Sequence, residues 1–311
     1  MDIYLLVIAL GLSFLLHFGI QKIFIYYKKF DDFNHRSSHK TLATRTGGIG
    51  IFSILMIISL FYYFQGIELF DYSLFIPLGI MFLVGVYDDF YHADFKLKFF
   101  LQIIVAKILI DQGYVISNYY GLFGFYEVPW LIAQLSTVFV FLVVVNAINF
   151  IDGIDGLAIT EVIKTIFLIE FFSDRSTMLY PLGAIVITCI LPLFYFNYRK
   201  KKKIFLGDAG SLLLGTLISV YVFYILDPNY NSPKWNFNKT LFSICLIFYP
   251  LFDLLRVIFI RIKNNISPFQ PDQNHIHHQL QKFTKNHFLT TLIIVLTHLL
   301  IFAIYLQFWL K

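Results

Sequence analysis

Residues 129–157 read PWLIAQLSTVFVFLVVVNAINFIDGIDGL. The first twenty positions carry no charge, and about 20 mostly apolar residues is what a helix needs to cross a bilayer core. The run then meets Asn149, Asp152 and Asp155, with Gly153 and Gly156 between and after the carboxylates. A membrane span that delivers its chain into a polar, glycine-rich turn is the pattern that decides the fold. Nine further segments share the apolar character, at roughly 3–25, 47–65, 72–87, 99–113, 156–172, 178–197, 209–226, 240–261 and 288–310. The expectation is an all-α polytopic membrane protein, one transmembrane domain over 1–311 built as a bundle of about ten helices.

Composition supports this and excludes an ordinary soluble domain. Hydrophobic residues make up 58% of the 311 positions and charged residues 14%, with a mean hydropathy of +0.72; soluble chains carry about 25% charged residues. Phenylalanine (37) and tyrosine (20) are abundant, as expected where amphipathic rings sit near headgroups. Cys189 and Cys245 both lie in apolar runs with no metal spacing, and read as packing residues. The chain opens Met1-Asp2 without a basic n-region or a small-residue cleavage site, so the first segment reads as a retained span.

The net charge of +5 does not point to nucleic acid, because the basic residues sit in short connections where they set topology. With ten spans the termini share a side, and placing both outside puts seventeen of the 24 Lys and Arg inside. These include Lys22, Arg45, the run Arg199 to Lys203, and Lys282. Both termini are therefore expected to be periplasmic. On that map every polar cluster falls on the cytoplasmic face, although only Lys and Arg were used to orient the chain. The outer stretch 114–128 reads as a short turn or hairpin.

Four clusters carry chemistry. In GVYDDF, Asp88 and Asp89 end the third span; adjacent carboxylates there call for a cation or water, and magnesium takes carboxylate oxygens while bridging to phosphate. A solvated helix end explains the pair equally well when it stands alone. In NFIDGIDGL the glycines allow positive φ and close backbone approach, and the carboxylates suit a base, a ribose or a metal. In FLGDAGS, Asp208 precedes an apolar helix, where it serves either as a cap or as part of an anion and metal site. Lys203 lies close enough to it in sequence to meet phosphate. In PDQNHIHH, His275, His277 and His278 suit phosphate contact better than zinc, which prefers wider spacing or cysteine partners. The loop 34–50, with Arg36, His39, Lys40 and Arg45, reads beside these sites as a binder of anionic groups. Of the ion pairs inside the spans, Lys107–Asp111 and Glu161–Lys164 read as structural, while Asp253 and Arg256 border the polar face. Carboxylates, basic groups and a helix start on one membrane face suit a metal-dependent phosphoryl transfer between a soluble nucleotide and a lipid phosphate.

GVYDDF, NFIDGIDGLA, KIFLGDAGS and PDQNHIHHQL, in that order and spacing, resemble the signatures of the polyprenyl-phosphate N-acetylhexosamine-1-phosphate transferases, glycosyltransferase family 4. The resemblance covers about residues 33–280 and is nearest the UDP-GlcNAc:undecaprenyl-phosphate branch. It implies a bundle of ten or eleven helices in the bacterial inner membrane, transferring GlcNAc-1-phosphate from a UDP-sugar to undecaprenyl phosphate and releasing UMP. A 6-deoxy sugar or MurNAc-pentapeptide donor belongs to the same reaction class. By motif position it implies magnesium on Asp208, with manganese as a substitute. Asp88 would deprotonate or orient the lipid phosphate with Asp89 in support. Asn149, Asp152 and Asp155 would hold the nucleotide and metal region, with Phe205 near the uracil and Lys98 and Asn197 at further polar positions. The three histidines would face the diphosphate or sugar. A homodimer, a role in cell-wall or O-antigen glycan synthesis, and no nucleic-acid partner complete the implication. Relatives usually carry a basic residue where Gln273 stands. Two rival readings, an intramembrane prenyltransferase and a transporter, lack their marks here: matched Asp-rich helices in one case, an inverted repeat with midplane polar groups in the other.

Overall fold

The computed structural model describes residues 3–30, 42–173, 177–230, 238–267 and 272–309. Arg36, His39 and Lys40 of the first inner loop lie outside these; Arg45 lies inside. In chain order the helices are α1 (Ile3–Tyr26), α2 (Gly47–Phe64), α3 (Phe75–Tyr91), α4 (Phe95–Asp111), α5 (Trp130–Phe150) and α6 (Leu157–Phe172). They continue with α7 (Tyr180–Tyr198), α8 (Gly207–Leu226), α9 (Lys239–Leu246), α10 (Phe248–Lys263), α11 (Ile276–Thr284) and α12 (His287–Trp309). Four short strands are β1 (Ala43–Thr44), β2 (Asn118–Leu122), β3 (Phe125–Glu127) and β4 (Lys203–Ile204).

All ten apolar segments are largely helical, yet they are not ten equal spans. Among the described residues seven helices are long and apolar enough to cross a membrane: α1, α2, α3 with the 3-10 turn before it, α5, α7, α8 and α12. An eighth span forms if α9 and α10, bent by 75° at their junction, count as one. The two that fall short are α4, with 17 residues, and α6, with 16. At 1.5 Å per residue these reach only about 24–26 Å against a hydrocarbon core of about 30 Å. The α6 segment also carries Glu161, Lys164 and Glu170. The architecture is thus the expected helical, polytopic one, while the count of ten is not reached by length and composition.

The chain divides into two compact units, Met1–Ala93 with Thr177–Leu213, and Asp94–Ser176 with Leu214–Lys311. In the first, α1 buries a narrow stripe of Leu5, Ala9, Ser13, His17 and Gln21, spaced by four, and leaves its other apolar side chains exposed. That spacing puts the stripe on one helix face. It packs against α7, whose internal Pro192 has no amide hydrogen to give to the preceding turn. The Cys189 carbonyl in that turn receives Ser13 Oγ at 2.8 Å and His17 Nε2 at 3.2 Å. Gln21 Nε2 donates to the Lys202 and Lys203 carbonyls at 2.7 and 2.9 Å, fastening the basic run to the end of the stripe.

The second unit contains α4, α5, α6, α9–α12 and the later part of α8. Asn146 Nδ2 donates to Gln102 Oε1 at 2.8 Å, a polar clasp between α5 and α4. Residues 114–128 hold the expected hairpin: β2 and β3 pair antiparallel, and Gly121 and Gly124 at φ +83° and +82° supply its tight turn. Buried in the same unit, Glu161 and Lys164 of α6 form an ion pair at 2.5 Å, and His298 of α12 contacts both. His298 Nε2 donates to the Cys245 carbonyl at 2.9 Å and Thr165 Oγ1 to the Leu246 carbonyl at 3.3 Å. Those carbonyls lie where the helix breaks between α9 and α10, so the polar group satisfies what the bend leaves unpaired.

Candidate active site

Two clusters gather the motif residues, one in each unit. In the first unit the frame is backbone. β1 and β4 pair in parallel, and Lys203 N and Phe205 N donate to the Leu42 and Thr44 carbonyls at 3.0 and 2.9 Å. The ladder continues as the first amides of α2, Gly47 N and Gly48 N, donate to the Phe205 and Leu206 carbonyls at 2.9 Å each. The last residues before Asp208 are thereby stitched to the tail of the basic loop that carries Arg45. Asn197 Nδ2 donates to the Ile204 carbonyl at 2.9 Å from a buried position, which makes it a brace of this loop.

Asp89 sits in the last turn of α3, and its side chain is 4% exposed. Both of its carboxylate oxygens accept backbone amides from the start of α8: Oδ1 from Asp208 N and Oδ2 from Ala209 N, each at 3.0 Å. Those amides are the free N–H groups of a helix beginning, which an anion neutralises. Arg45 Nη1 stands 3.6 Å from the same carboxylate. Two glycines permit the approach. A methyl on Gly85, one turn before Asp89, would collide with the backbone of Asp208 and Ala209. Gly207 adopts φ +73°, and a side chain there would come within 2.7 Å of Asp89 Oδ2. Asp88 accepts from Ala93 N at 2.9 Å, just past a left-handed cap at His92. Asp208 is half-buried in the first turn of α8, close enough to Asp89 for their charges to repel.

Asp208 offers carboxylate oxygens of the hard kind that magnesium accepts, beside the carboxylate of Asp89. Asp208 fits a metal best. Asp89 has both oxygens engaged by amides, and like charge beside it calls for a cation.

In the second unit, motif residues separated by more than a hundred positions meet. Asn149 ends α5, and Asp152 lies in the turn that follows, its amide donating to the Asn149 carbonyl at 3.3 Å. Gly153 lies against two histidines: a methyl on it would come within 2.5 Å of His277 Nε2 and 2.9 Å of His278 Cε1. Asp155 is buried, and its amide donates to His287 Nδ1 at 3.0 Å. His275 Nδ1 lies 2.9 Å from Asp253 Oδ2, and the His277 ring is buried beside Tyr249, whose hydroxyl is 3.4 Å from Nδ1. Arg261, 2% exposed, donates to Asp272 Oδ2 at 2.8 Å, and Asp272 Oδ1 accepts from Asn274 N at 2.8 Å. Lys98 lies half-buried near the start of α4.

Burial keeps His277 and His278 neutral. Burial, the largest cause, pushes His278 down to about 4. Burial holds His277 well below its ordinary value, with His278 adding to the effect. At Asp272 burial works upward but loses to the Arg261 hydrogen bond and the Asn274 amide, so its carboxyl is held below the usual range. One oxygen of Asp253 and one nitrogen each of His275 and His277 lie within 4.8 Å of one another. Imidazole-rich donors suit zinc and not magnesium.

His287 and Tyr249 are absent from the sequence-derived set, and Asp253 stands there only as a border residue. His287 opens an apolar span, and a polar residue at such an edge is the signal that marks it. Tyr249 is indistinguishable in sequence from the many tyrosines of lipid-facing segments.

The comparisons with known proteins agree with the motifs. The model of Glycosyl transferase family 4 matches residues 71–226, which contain Asp88, Asp89, Asn149, Asp152, Asp155 and Asp208. The chain is 30% identical over 287 residues, 89% of its length and 76% of the relative's, to the "Probable undecaprenyl-phosphate N-acetylglucosaminyl 1-phosphate transferase" of Bacillus subtilis (strain 168). It is 26% identical over 277 residues, 85% of its length and 72% of the relative's, to the "Undecaprenyl-phosphate alpha-N-acetylglucosaminyl 1-phosphate transferase" of Salmonella typhi. A third similarity, 31% over 232 residues, covers 68% of the chain and 58% of the "Decaprenyl-phosphate N-acetylglucosaminephosphotransferase" of Mycobacterium leprae (strain TN). A match across half the chain, with relatives aligned over most of the rest, establishes that the chain belongs to glycosyl transferase family 4.

Proposed function

We propose that the protein transfers GlcNAc-1-phosphate from UDP-GlcNAc to undecaprenyl phosphate, releasing UMP, at the cytoplasmic face of a bacterial inner membrane. The relatives' names supply the acceptor and the sugar. The observation that carries the chemistry is the carboxylate of Asp89, whose two oxygens tie the Asp-Asp motif to the amides at Asp208 and Ala209. That contact fixes the Asp89 side chain at the start of the helix that carries Asp208, the kind of arrangement on which a phosphoryl transfer governed by positioning and charge depends.

A phosphate oxygen of the lipid attacks the β-phosphorus of UDP-GlcNAc. The bond from the β-phosphorus to the oxygen bridging it to the α-phosphorus breaks, and that oxygen leaves with UMP. Asp88, whose carboxylate is held by Ala93 N, orients the attacking phosphate or removes its proton. Asp89 acts as a scaffold: with both oxygens engaged by amides and 4% exposure, it is ill placed to form an aspartyl-phosphate. Magnesium, when bound, would be held by Asp208 and would neutralise charge on the diphosphate. Asn149 and Asp152, at the mouth of the glycine turn, hold the nucleotide, and neutral His277 and His278 beside Gly153 contact the diphosphate or sugar. Phe205, in the backbone ladder that leads to Asp208, would meet the uracil.

The test is a membrane assay with undecaprenyl phosphate, magnesium and a panel of radiolabelled UDP-sugars. Label from UDP-GlcNAc should enter lipid with one UMP released per transfer, and chelation should abolish it. Transfer of a 6-deoxy sugar alone would overturn the choice of donor; transfer of none, with Asp208→Asn indistinguishable from wild type, would overturn the enzyme.

A further inference from the structure

The acidic residue buried deepest beside the histidine motif belongs to none of the four motifs. Asp253, on α10, is 0% exposed; three groups hydrogen-bond to it, and His277 Nδ1 stands 3.7 Å from its Oδ2. Oδ1 accepts the Ile276 amide at 2.9 Å and Arg256 Nη2 at 3.1 Å, while Oδ2 lies 2.9 Å from His275 Nδ1. Ile276 opens α11, so Asp253 caps that helix from another one, in the way a side-chain oxygen satisfies free N–H groups at a helix start. Arg256 offsets the buried charge and also donates to the Asn274 carbonyl. Five positions further along α10, Arg261 holds Asp272. One helix therefore clips the segment 272–276 through three charged side chains.

The clip has a consequence for the His275 ring. A carboxylate can only accept, so the nitrogen facing it must carry the hydrogen. With Nδ1 protonated, Nε2 of the neutral ring is the acceptor. Nε2 makes no hydrogen bond among the described residues, and the ring is steadied on its faces by His277, stacked at 5.3 Å, and by the edge-on contact with Phe150 at 5.6 Å.

We propose that Asp253 is a positioning residue for the sugar-phosphate transfer: it holds His275 in the Nδ1–H tautomer and so offers Nε2 as an acceptor to a hydroxyl or amide N–H of the nucleotide-sugar. This rests on the transferase reading above. It is separable from it because the tautomer can be read without turnover.

Asp253→Asn is the discriminating variant. The Ile276 amide and Arg256 only donate, so they keep the amide oxygen of Asn on their side and turn its NH2 toward His275. The α11 cap survives while Nδ1 becomes the acceptor and the ring hydrogen moves to Nε2. In full-length protein labelled with 15N-histidine, the His275 signal, identified by its loss in His275→Gln, should report Nδ1–H in wild type and Nε2–H in Asp253→Asn. The melting temperature should stay close to wild type. With UDP-GlcNAc varied, kcat should fall on the order of 10–100-fold with KM changed less than about threefold, as for other groups that orient an active imidazole. An Nε2–H signal in wild type, wild-type kcat in Asp253→Asn, or stoichiometric zinc that Asp253→Asn loses would each overturn the proposal. Wild-type protein that shows the Nδ1–H signal yet transfers nothing overturns the transferase reading and leaves the hold on His275 standing.

Discussion

Asp89 and Asp208 meet through the backbone of one and the side chain of the other, and this divides their work. Asp208→Asn keeps the amide that Asp89 holds but weakens the hard oxygen donor, so transfer should fall on the order of 100-fold or more with little change in melting temperature. Gly207→Ala acts differently. It forces a side chain into φ +73° and against Asp89 Oδ2, which should cost roughly 1–2 kcal/mol in backbone strain alone, read as a lowered melting temperature along with lost activity. His278 adds a pH dependence. Its folded-state value of about 4 lies below the ordinary 6.5, so between those values the unfolded chain binds a proton that the folded one does not. This contribution to stability is complete above about pH 6.5 and is lost as the pH falls toward 4. Melting temperatures should drop from pH 7 to pH 5, and drop less in His278→Gln. At this scale the motifs were legible because carboxylates, glycines and histidines stand out in an apolar chain. The division of labour within Asp88-Asp89 came from the resemblance alone, since adjacent identical residues differ only in the face that each presents.

Among the elements, the bent pair α9–α10 departs furthest from its sequence pattern. An apolar run over 240–261 reads as one span by hydropathy, yet Pro250, just past the break near Ile247, has no N–H to give the Leu246 carbonyl and is the local mark of the bend. Its partners lie far away in sequence, in Thr165 and His298, and so does the Glu161–Lys164 pair that His298 contacts. Removing one member of a buried pair strands the other, at about 3–5 kcal/mol. Glu161→Gln should therefore lower the melting temperature strongly, and the double variant Glu161→Leu with Lys164→Met should recover most of the loss. Equal destabilisation in both would show that the pair is not what the bend depends on. Two apolar runs, α4 and α6, were legible as short helices over 99–113 and 156–172, but their starts were less so, because these depend on caps such as Asp94 and Gly156 and not on hydropathy.

For the whole molecule, hydropathy and charge decide the class of fold, and the four ordered motifs decide the family. Hydropathy does not decide the number of crossings, because among the described residues seven or eight helices meet the length that ten apolar segments suggest. The sidedness rests on the distribution of lysine and arginine, and it makes a prediction of its own. In intact cells, a cysteine at Lys202 should be protected from an impermeant thiol reagent, while one at Phe123, exposed on the hairpin, should react. The reverse pattern would invert the topology.

The central claim is that a sugar-phosphate, and not a bare sugar, moves onto the lipid. Purified protein given UDP-GlcNAc labelled with 32P at the β-phosphate and 14C in the sugar tests it directly. The account predicts both labels in the lipid at the ratio of the donor, with unlabelled UMP released. Lipid carrying 14C without 32P, or 32P left in soluble UDP, would contradict it.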